Sequence, residues 1–397
     1  MHAKNTELND YILQWRRYFH QRPELSYEEH ETQKALIKEL ARFPNLEVKK
    51  LARTGVVADL NPKGEGPLIA IRADMDALPM DEETDLPFRS ERPGVMHACG
   101  HDAHMAILLG TIRYLHDEKD AGRFRFIFQP SEENNFNDDE GWSGAKRMVS
   151  EGALDGVDVT IGLHQRPDLP SGTLGLQSGT VMASADMFEL IVHGKSSHAG
   201  AAPEKGIDAI VIASDWVQSL QTIISRRISP RSTGVISVGT IDGGQIANII
   251  ADRVRMTGTI RSRDAETRAT ILREVETLNR SLEQRYSAKL RWEVLQEVPL
   301  THNSIAISST ITNAVKKELP MISILTDVDM MAAEDFSYYG MNSQAFFGFL
   351  GTGLPDGPAA YGLHHPKMDL DEDAMLVGVQ FFVTAARALQ KDLSTAM

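Results

Sequence analysis

The stretch between Asp186 and Leu295 constrains the fold of this chain most, because its apolar periodicities spell out one complete small domain. Met187 to Val192 reads as a strand, Ile207 to Ile228 as a helix, Thr233 to Ile241 and Arg253 to Arg261 as two strands, Ala265 to Ser287 as a helix, and Leu290 to Leu295 as a last strand. The order β-α-β-β-α-β is that of the ferredoxin-like unit. More α/β sequence follows, including the helical stretch Ile305 to Glu318. Residues 186–296 are therefore expected to be an insertion in a discontinuous first domain made of residues 1–185 and 297–397.

That first domain opens with amphipathic stretches at Tyr11 to Phe19 and Tyr27 to Phe43, separated by a turn at Arg22-Pro23-Glu24. Strand-length apolar runs then recur at Gly55 to Leu60, Leu68 to Ile71, Phe124 to Phe128, Val159 to Leu163 and Ala345 to Leu350. They lack strict alternation, as strands buried on both faces do. Helical segments such as Met105 to Leu115 and Gly144 to Ser150 lie between several of them, which predicts an α/β fold with helices on both faces of a mostly parallel sheet. A mass of 43.9 kDa exceeds the usual single-domain ceiling, and 42% hydrophobic residues suffice for two cores.

The charges exclude some functions. With 41 basic against 55 acidic residues the formal charge is −14, which argues against a nucleic-acid partner. No run approaches the roughly 18 apolar residues of a membrane span. The start MHAKNTELND has no apolar core of a secretory signal, and a single cysteine cannot form an internal disulfide, so the expected location is the cytoplasm.

In an open α/β sheet, ligands bind beyond the carboxyl ends of the strands. Four runs deliver polar residues there. Leu68 to Ile71 leads into Arg72-Ala73-Asp74-Met75-Asp76, and Phe124 to Phe128 into Gln129-Pro130-Ser131-Glu132-Glu133; Val159 to Leu163 ends at His164, and the last strand is followed by His364-His365-Pro366. The run His97-Ala98-Cys99-Gly100-His101-Asp102-Ala103-His104 adds the only cysteine, at x+2 spacing from an imidazole. Each signal has an ordinary structural explanation when taken alone: a rim histidine, a solvated acidic loop, a buried thiol. Their convergence on one sheet edge does not. Two divalent ions need a bridging ligand, imidazoles, carboxylates and an open position for water, and Cys99, His101, Glu133, His164 and one of His364 and His365 supply five ligands. Glu132, beside a ligand, is then placed to take a proton from water and return it to a leaving amine.

With these residues in place, the chain resembles the M20 metallopeptidase family, and within it the subfamily D amidohydrolases that include aminoacylases, hippurate hydrolases, N-acetyl-diaminopimelate deacetylases and auxin-conjugate hydrolases. The resemblance rests on Arg22 to Ser26, Ile71 to Pro79, Met96 to His104, Phe128 to Glu133, Gly162 to His164, Gly194 to Gly200, Ala333 to Phe336 and Leu363 to Pro366. It implies a di-metal catalytic domain bearing an inserted lid and dimerisation domain, with Cys99 bridging two divalent ions. His101, Glu133, His164 and His364 would complete the shell, His364 being preferred over His365 because the family's ligand stands two residues before the proline. Glu132 would be the general base. His198 would be the lid histidine that polarises the scissile carbonyl, sometimes across a dimer, and Asn248 and Arg261 would hold the substrate's free carboxylate. Asp74, Asp76, His97 and His104 would orient ligands, while His20, His193 and His302 are expected to be structural. The stretch Asn134 to Trp142 departs from the family's pattern beside the expected site.

The expected function is hydrolysis of the amide bond of an N-acyl amino acid or similar small conjugate by a homodimer. Zinc or manganese is the expected ion pair, with cobalt or nickel also admitted by a mixed thiolate, imidazole and carboxylate shell. The rivals are a dipeptidase or aminopeptidase of the same family, a hydrolase with Cys99 as nucleophile paired to His97 or His101, and a non-catalytic metal-bound protein that sequesters an amino-acid conjugate.

Overall fold

The computed structural model describes residues 2–119, 122–135, 137–354 and 361–396. They form two compact units: residues 1–181, 302–329 and 335–397, and residues 182–301 with 330–334.

In chain order the larger unit begins with α1 (His2–His20), α2 (His30–Leu40), β1 (Leu46–Leu51), β2 (Gly55–Leu60), β3 (Leu68–Asp74), α3 (His101–Asp117), β4 (Arg123–Gln129), α4 (Gly144–Ser150), β5 (Val159–Pro170), β6 (Leu174–Gly175) and β7 (Gly179–Met182). The smaller unit follows with β8 (Ser184–His193), α5 (Ala209–Arg227), β9 (Gly234–Gly243), β10 (Arg253–Ser262), α6 (Ala265–Tyr286) and β11 (Lys289–Val298). The chain then returns through β12 (Thr301–Asn303), α7 (Ile305–Glu318), β13 (Ile324–Leu325), α8 (Ser337–Asn342), β14 (Gln344–Gly353) and α9 (Met375–Ala396).

The larger unit is built on an eight-stranded sheet in the order β1-β2-β4-β3-β5-β14-β6-β13. Its centre, β4-β3-β5-β14, is parallel, and β1 and β2 extend it antiparallel. Every residue of β3 is buried, as expected of a strand covered on both faces. Helices α1, α3, α7 and α9 pack on one another, and α3 and α9 lie against β3, while α4 and α8 pack together and against β4 and β14. This layering brings the carboxyl ends of β3 and β4, the start of α3 and His164 of β5 into one place. Several boundaries differ from expectation: α1 starts nine residues early at His2, and β5 runs on to Pro170, so His164 lies within the strand. Helix α2 begins at His30 because Tyr27 has φ 61°, a left-handed backbone that a helix cannot contain, and α3 begins at His101, four residues early.

The smaller unit is an antiparallel sheet in the order β11-β8-β10-β9 with α5 and α6. Its core is assembled from alternate strand residues, Phe188, Leu190 and Val192 of β8 with Val254, Met256 and Ile260 of β10. Ile212, Trp216, Leu220 and Ile223 of α5 recur at helical spacing and fill that core. The one polar atom Trp216 carries is satisfied, its Nε1 donating to Asn279 Oδ1 at 2.7 Å.

Candidate metal centre

Cys99 and His101 flank Gly100, which starts α3 at φ 87°, a conformation available to glycine without strain. A side chain there would also strike Gln165, whose Nε2 lies 2.6 Å from an added Cβ. The close approach has a use. Gln165 Nε2 donates to the Cys99 carbonyl at 2.9 Å, and Thr352 Oγ1 donates to Gln165 Oε1 at 2.6 Å, so the backbone of the cysteine is pinned to β5 and β14.

The thiol and its neighbours make two overlapping ligand groups. In each of the sets Cys99, His101, His164 and Cys99, Glu133, His364, the candidate ligand atoms lie within 4.8 Å of one another. Cys99 is common to both, which is the position a bridging ligand must hold. His164 Nε2 is 3.4 Å from Cys99 Sγ, and its Nδ1 meets the Gln165 carbonyl at 2.6 Å. His364 reaches Glu133 Oε1 at 3.4 Å from a left-handed backbone, φ 62°, fixed by its N–H on the Ala98 carbonyl at 2.9 Å. His365 turns elsewhere, its ring stacked on Tyr361 and its Nδ1 accepting from Lys367 N.

Supporting residues leave the ligand atoms aimed inward. His101 Nδ1 donates to the Asp76 carbonyl at 2.8 Å, while Nε2, like Glu133 Oε1, is buried without a hydrogen-bond partner among the described residues. Orphaned buried polar atoms facing a common point fit a cation. His104 is used up: its Nδ1 meets Asp74 Oδ1 at 2.6 Å and its Nε2 accepts from Gln165 N at 2.9 Å. Asp74 Oδ2 accepts from Arg72 Nη1 at 2.6 Å, and Arg72 is held by Gln129 and Asp335. Asp76 Oδ2 accepts from Ser26 Oγ at 2.6 Å and from Glu133 N at 3.0 Å. Glu132 lies in a third set with His101 and Glu133, within 4.8 Å of each.

The electrostatics agree. Burial alone would lower His101, but Asp74, Asp76 and Glu133 push it up to about 10, so the cluster draws positive charge to this ring. Burial pushes the Cys99 thiol well above its ordinary value, and Glu133, Glu132 and Asp74 push it further. A thiol so held is a poor nucleophile, and only an adjacent cation makes it a thiolate. Neither of the bases expected for a cysteine nucleophile meets the thiol: His97 has neither ring nitrogen hydrogen-bonded among the described residues and His101 gives its Nδ1 to the Asp76 carbonyl, while the imidazole beside Sγ is that of His164.

The smaller unit carries the other expected residues. His198 is exposed, and its Nδ1 accepts from the N–H groups of Gly200 at 3.2 Å and Ala201 at 3.1 Å. That leaves Nε2 to carry the ring proton and act as a donor. Asn248 is its neighbour, the Ala199 N–H donating to the Asn248 carbonyl at 3.0 Å. Arg261, half-buried, is at the other end of the sheet: it pairs with Ala185, whereas the segment bearing His198 follows His193, eight residues along β8 and about 26 Å away.

Sequence reasoning missed one buried support, Glu29. Glu29 is fully buried, accepts from Ser131 N at 2.9 Å and from the Thr54 hydroxyl, and is pushed up to about 8 by burial and then by Asp76. His20, expected to be structural, bridges Asp102 at 2.8 Å and Glu82 at 3.2 Å beside the start of α3, with Arg16 on the same Asp102 oxygen. Nothing in the sequence around Glu28-Glu29 separates it from solvated surface. Most of the 134–142 stretch is described, Phe136 lying outside. Asp138 anchors it, pairing with Arg53 and Arg147 and accepting from Trp142 N at 2.8 Å.

The model for peptidase family M20/M25/M40 matches residues 70–388. The chain is 38% identical over 385 residues to N-acetyl-L-cysteine deacetylase of Bacillus subtilis, covering 96% of this chain and 89% of that one. It is 39% identical over 378 residues to thermostable carboxypeptidase 1 of Saccharolobus solfataricus, covering 94% and 93%. Among solved structures it is similar to the Bacillus subtilis YxeP protein, a dinuclear metal-binding peptidase of family M20, with a TM-score of 0.83, 32% identity and coverage of 97% and 99%.

Proposed function

The chain belongs to peptidase family M20/M25/M40, and on that footing we propose that it is a two-metal amidohydrolase that cleaves the amide bond of N-acyl amino acids or similar small conjugates. The observation that carries the site assignment is the sharing of Cys99 by two ligand groups, one with His101 and His164 and one with Glu133 and His364. Bound there, two divalent ions would supply Lewis acidity, lowering the pKa of water and polarising the scissile carbonyl. Zinc or manganese suits the shell, and cobalt or nickel is admitted.

The chain's own residues do the rest. Glu133 and Glu132 divide the work of one acidic pair, the first held at its backbone by Asp76 as a ligand and the second serving as general base. Glu132 takes the proton of the attacking water and passes it to the amino group as the carbon–nitrogen bond breaks. The Nε2–H of His198 stabilises the oxyanion, where losing one donor costs about 3 kcal/mol in such enzymes. Asn248 and the Arg261 guanidinium take the substrate's carboxylate. One small substrate cannot touch His198 and Arg261 of the same chain when the β8–β10 ladder separates them. A homodimer resolves this, with His198 and Asn248 donated by the partner subunit. The unpaired edge of β9 and the exposed Val235, Ile241, Ile246 and Ile249 offer a surface for such pairing. No helix among the described residues is long and apolar enough to cross a membrane, and a lone buried cysteine fits the cytoplasm.

The named carboxypeptidase among the relatives keeps a peptidase in play. The two differ in whether the site accepts a free α-amine. N-acetyl amino acids and the matching free-amine dipeptides decide between them: kcat/KM at least tenfold higher for the acetylated series is expected, and the reverse order would make the chain a peptidase.

A further inference from the structure

The N-terminal segment that leads into α2 grips the loop carrying Glu132 and Glu133. Ser131, immediately before the pair, has φ 50°, a left-handed backbone unusual for serine. Its N–H lies beyond the end of β4 and is accepted by Glu29 Oε1 at 2.9 Å. Glu29 Oε2 is steadied by the Thr54 hydroxyl at the entry to β2, and its side chain has no exposed surface. On the other side of Ser131, Gly144 N donates to the Ser131 carbonyl at 2.8 Å, and Gly144 is obligatory because a Cβ there would sit 1.6 Å from the Pro130 oxygen. The rest of the segment grips the same loop. Ser26 Oγ fixes the Asp76 oxygen that accepts Glu133 N, and Tyr27 OH donates to the Trp142 carbonyl at 2.9 Å.

We propose that Glu29 is a positioning residue of the hydrolase, holding Ser131 in its left-handed conformation so that Glu132 and Glu133 point to different tasks. The proposal rests on the amide-hydrolase assignment above. Without the carboxyl, the Ser131 N–H would be a buried donor with no partner, and relaxing φ to the ordinary region would swing the Glu132 peptide away. Both residues follow Ser131, so the error falls most on the base and, to a lesser degree, on the carboxylate of the Glu133 ligand, whose N–H Asp76 still holds. A misplacement of about 1 Å at such a group costs on the order of 100-fold in rate.

The test uses Glu29→Ala and Glu29→Gln in the full-length, metal-loaded protein with an N-acetyl amino acid. Glu29→Ala is expected to lower kcat about 100-fold with KM within about threefold. Glu29→Gln keeps an oxygen for Ser131 N, matches the neutral carboxyl that burial favours, and is expected to stay within about fivefold of the parent. The visible spectrum of the cobalt(II)-loaded protein, which reports the ligand field without turnover, should change in Glu29→Ala and not in Glu29→Gln. A folded Glu29→Ala with kcat within twofold of the parent and an unchanged cobalt spectrum overturns the proposal, as does a Gln variant as impaired as the Ala one. If Glu29→Ala does not fold, Thr54→Val removes only the Oε2 anchor. A several-fold loss of kcat at unchanged KM then supports the role, and unchanged kcat rejects it. A parent that hydrolyses no N-acyl amino acid refutes the hydrolase assignment, and the cobalt spectra still decide the role of Glu29.

Discussion

Gly100→Ala tests the scaffold that holds Cys99 and His101. At φ 87° and ψ 21° an alanine is forced into the left-handed region, at roughly 1–2 kcal/mol. Part of this, roughly 0.4–1 kcal/mol, is offset by the stiffer unfolded chain. The added Cβ would lie 2.6 to 2.9 Å from Nε2, Cγ and Cδ of Gln165, so that side chain must leave. Its departure breaks two buried hydrogen bonds, to the Cys99 carbonyl and from Thr352, at about 1 kcal/mol each. The net expectation is a loss of about 2–4 kcal/mol, read as the shift in urea midpoint of chelator-treated protein, so that bound metal does not mask it. Metal affinity should fall by roughly 10- to 100-fold in the same variant, as for other outer-shell disruptions. In a Gln165→Ala background the clash disappears and Gly100→Ala should cost only about 1 kcal/mol, the backbone part. A loss below about 0.5 kcal/mol, or equal losses in the two backgrounds, would refute the steric reasoning.

Other consequences can be checked as directly. Cys99→Ser should bind markedly less metal per chain at equal protein concentration by elemental analysis, because a hydroxyl does not replace a bridging thiolate. His364→Ala should lose metal or turnover by at least tenfold, whereas His365→Ala, whose ring stacks on Tyr361 away from the ligands, should stay within about threefold of the parent in kcat. Trp216→Ala should destabilise the smaller unit by about 3–5 kcal/mol, and Trp216→Phe by about 1 kcal/mol through the orphaned Asn279, both followed by thermal unfolding.

The elements that depend on local patterns were legible in the sequence. Five of the eight strands of the larger sheet and all six elements of the smaller unit follow from runs of apolar residues. Glu133 and His164 stand out because they follow strands, Cys99 and His101 because of their spacing, and the resemblance chose His364 over His365. What was illegible depends on contacts across the chain. Glu29 meets Ser131 over 102 positions, and its solvated appearance in a run of acidic residues hides a fully buried carboxyl. Gln165 is unremarkable until the absent side chain of Gly100 admits it. The start of α3 was placed late because Gly100, usually a helix terminator, here begins one. The separation of His198 from Arg261 required the register of β8 with β10, which no single-strand pattern encodes.

The most direct measurement pairs elemental analysis with turnover in Glu132→Ala. The two-metal assignment with Glu133 as ligand and Glu132 as base predicts about two divalent ions per chain in both parent and variant, with kcat on an N-acyl amino acid lowered by roughly 100-fold or more in the variant alone. Parent-like turnover in metal-loaded Glu132→Ala, or loss of the ions along with activity, would contradict it.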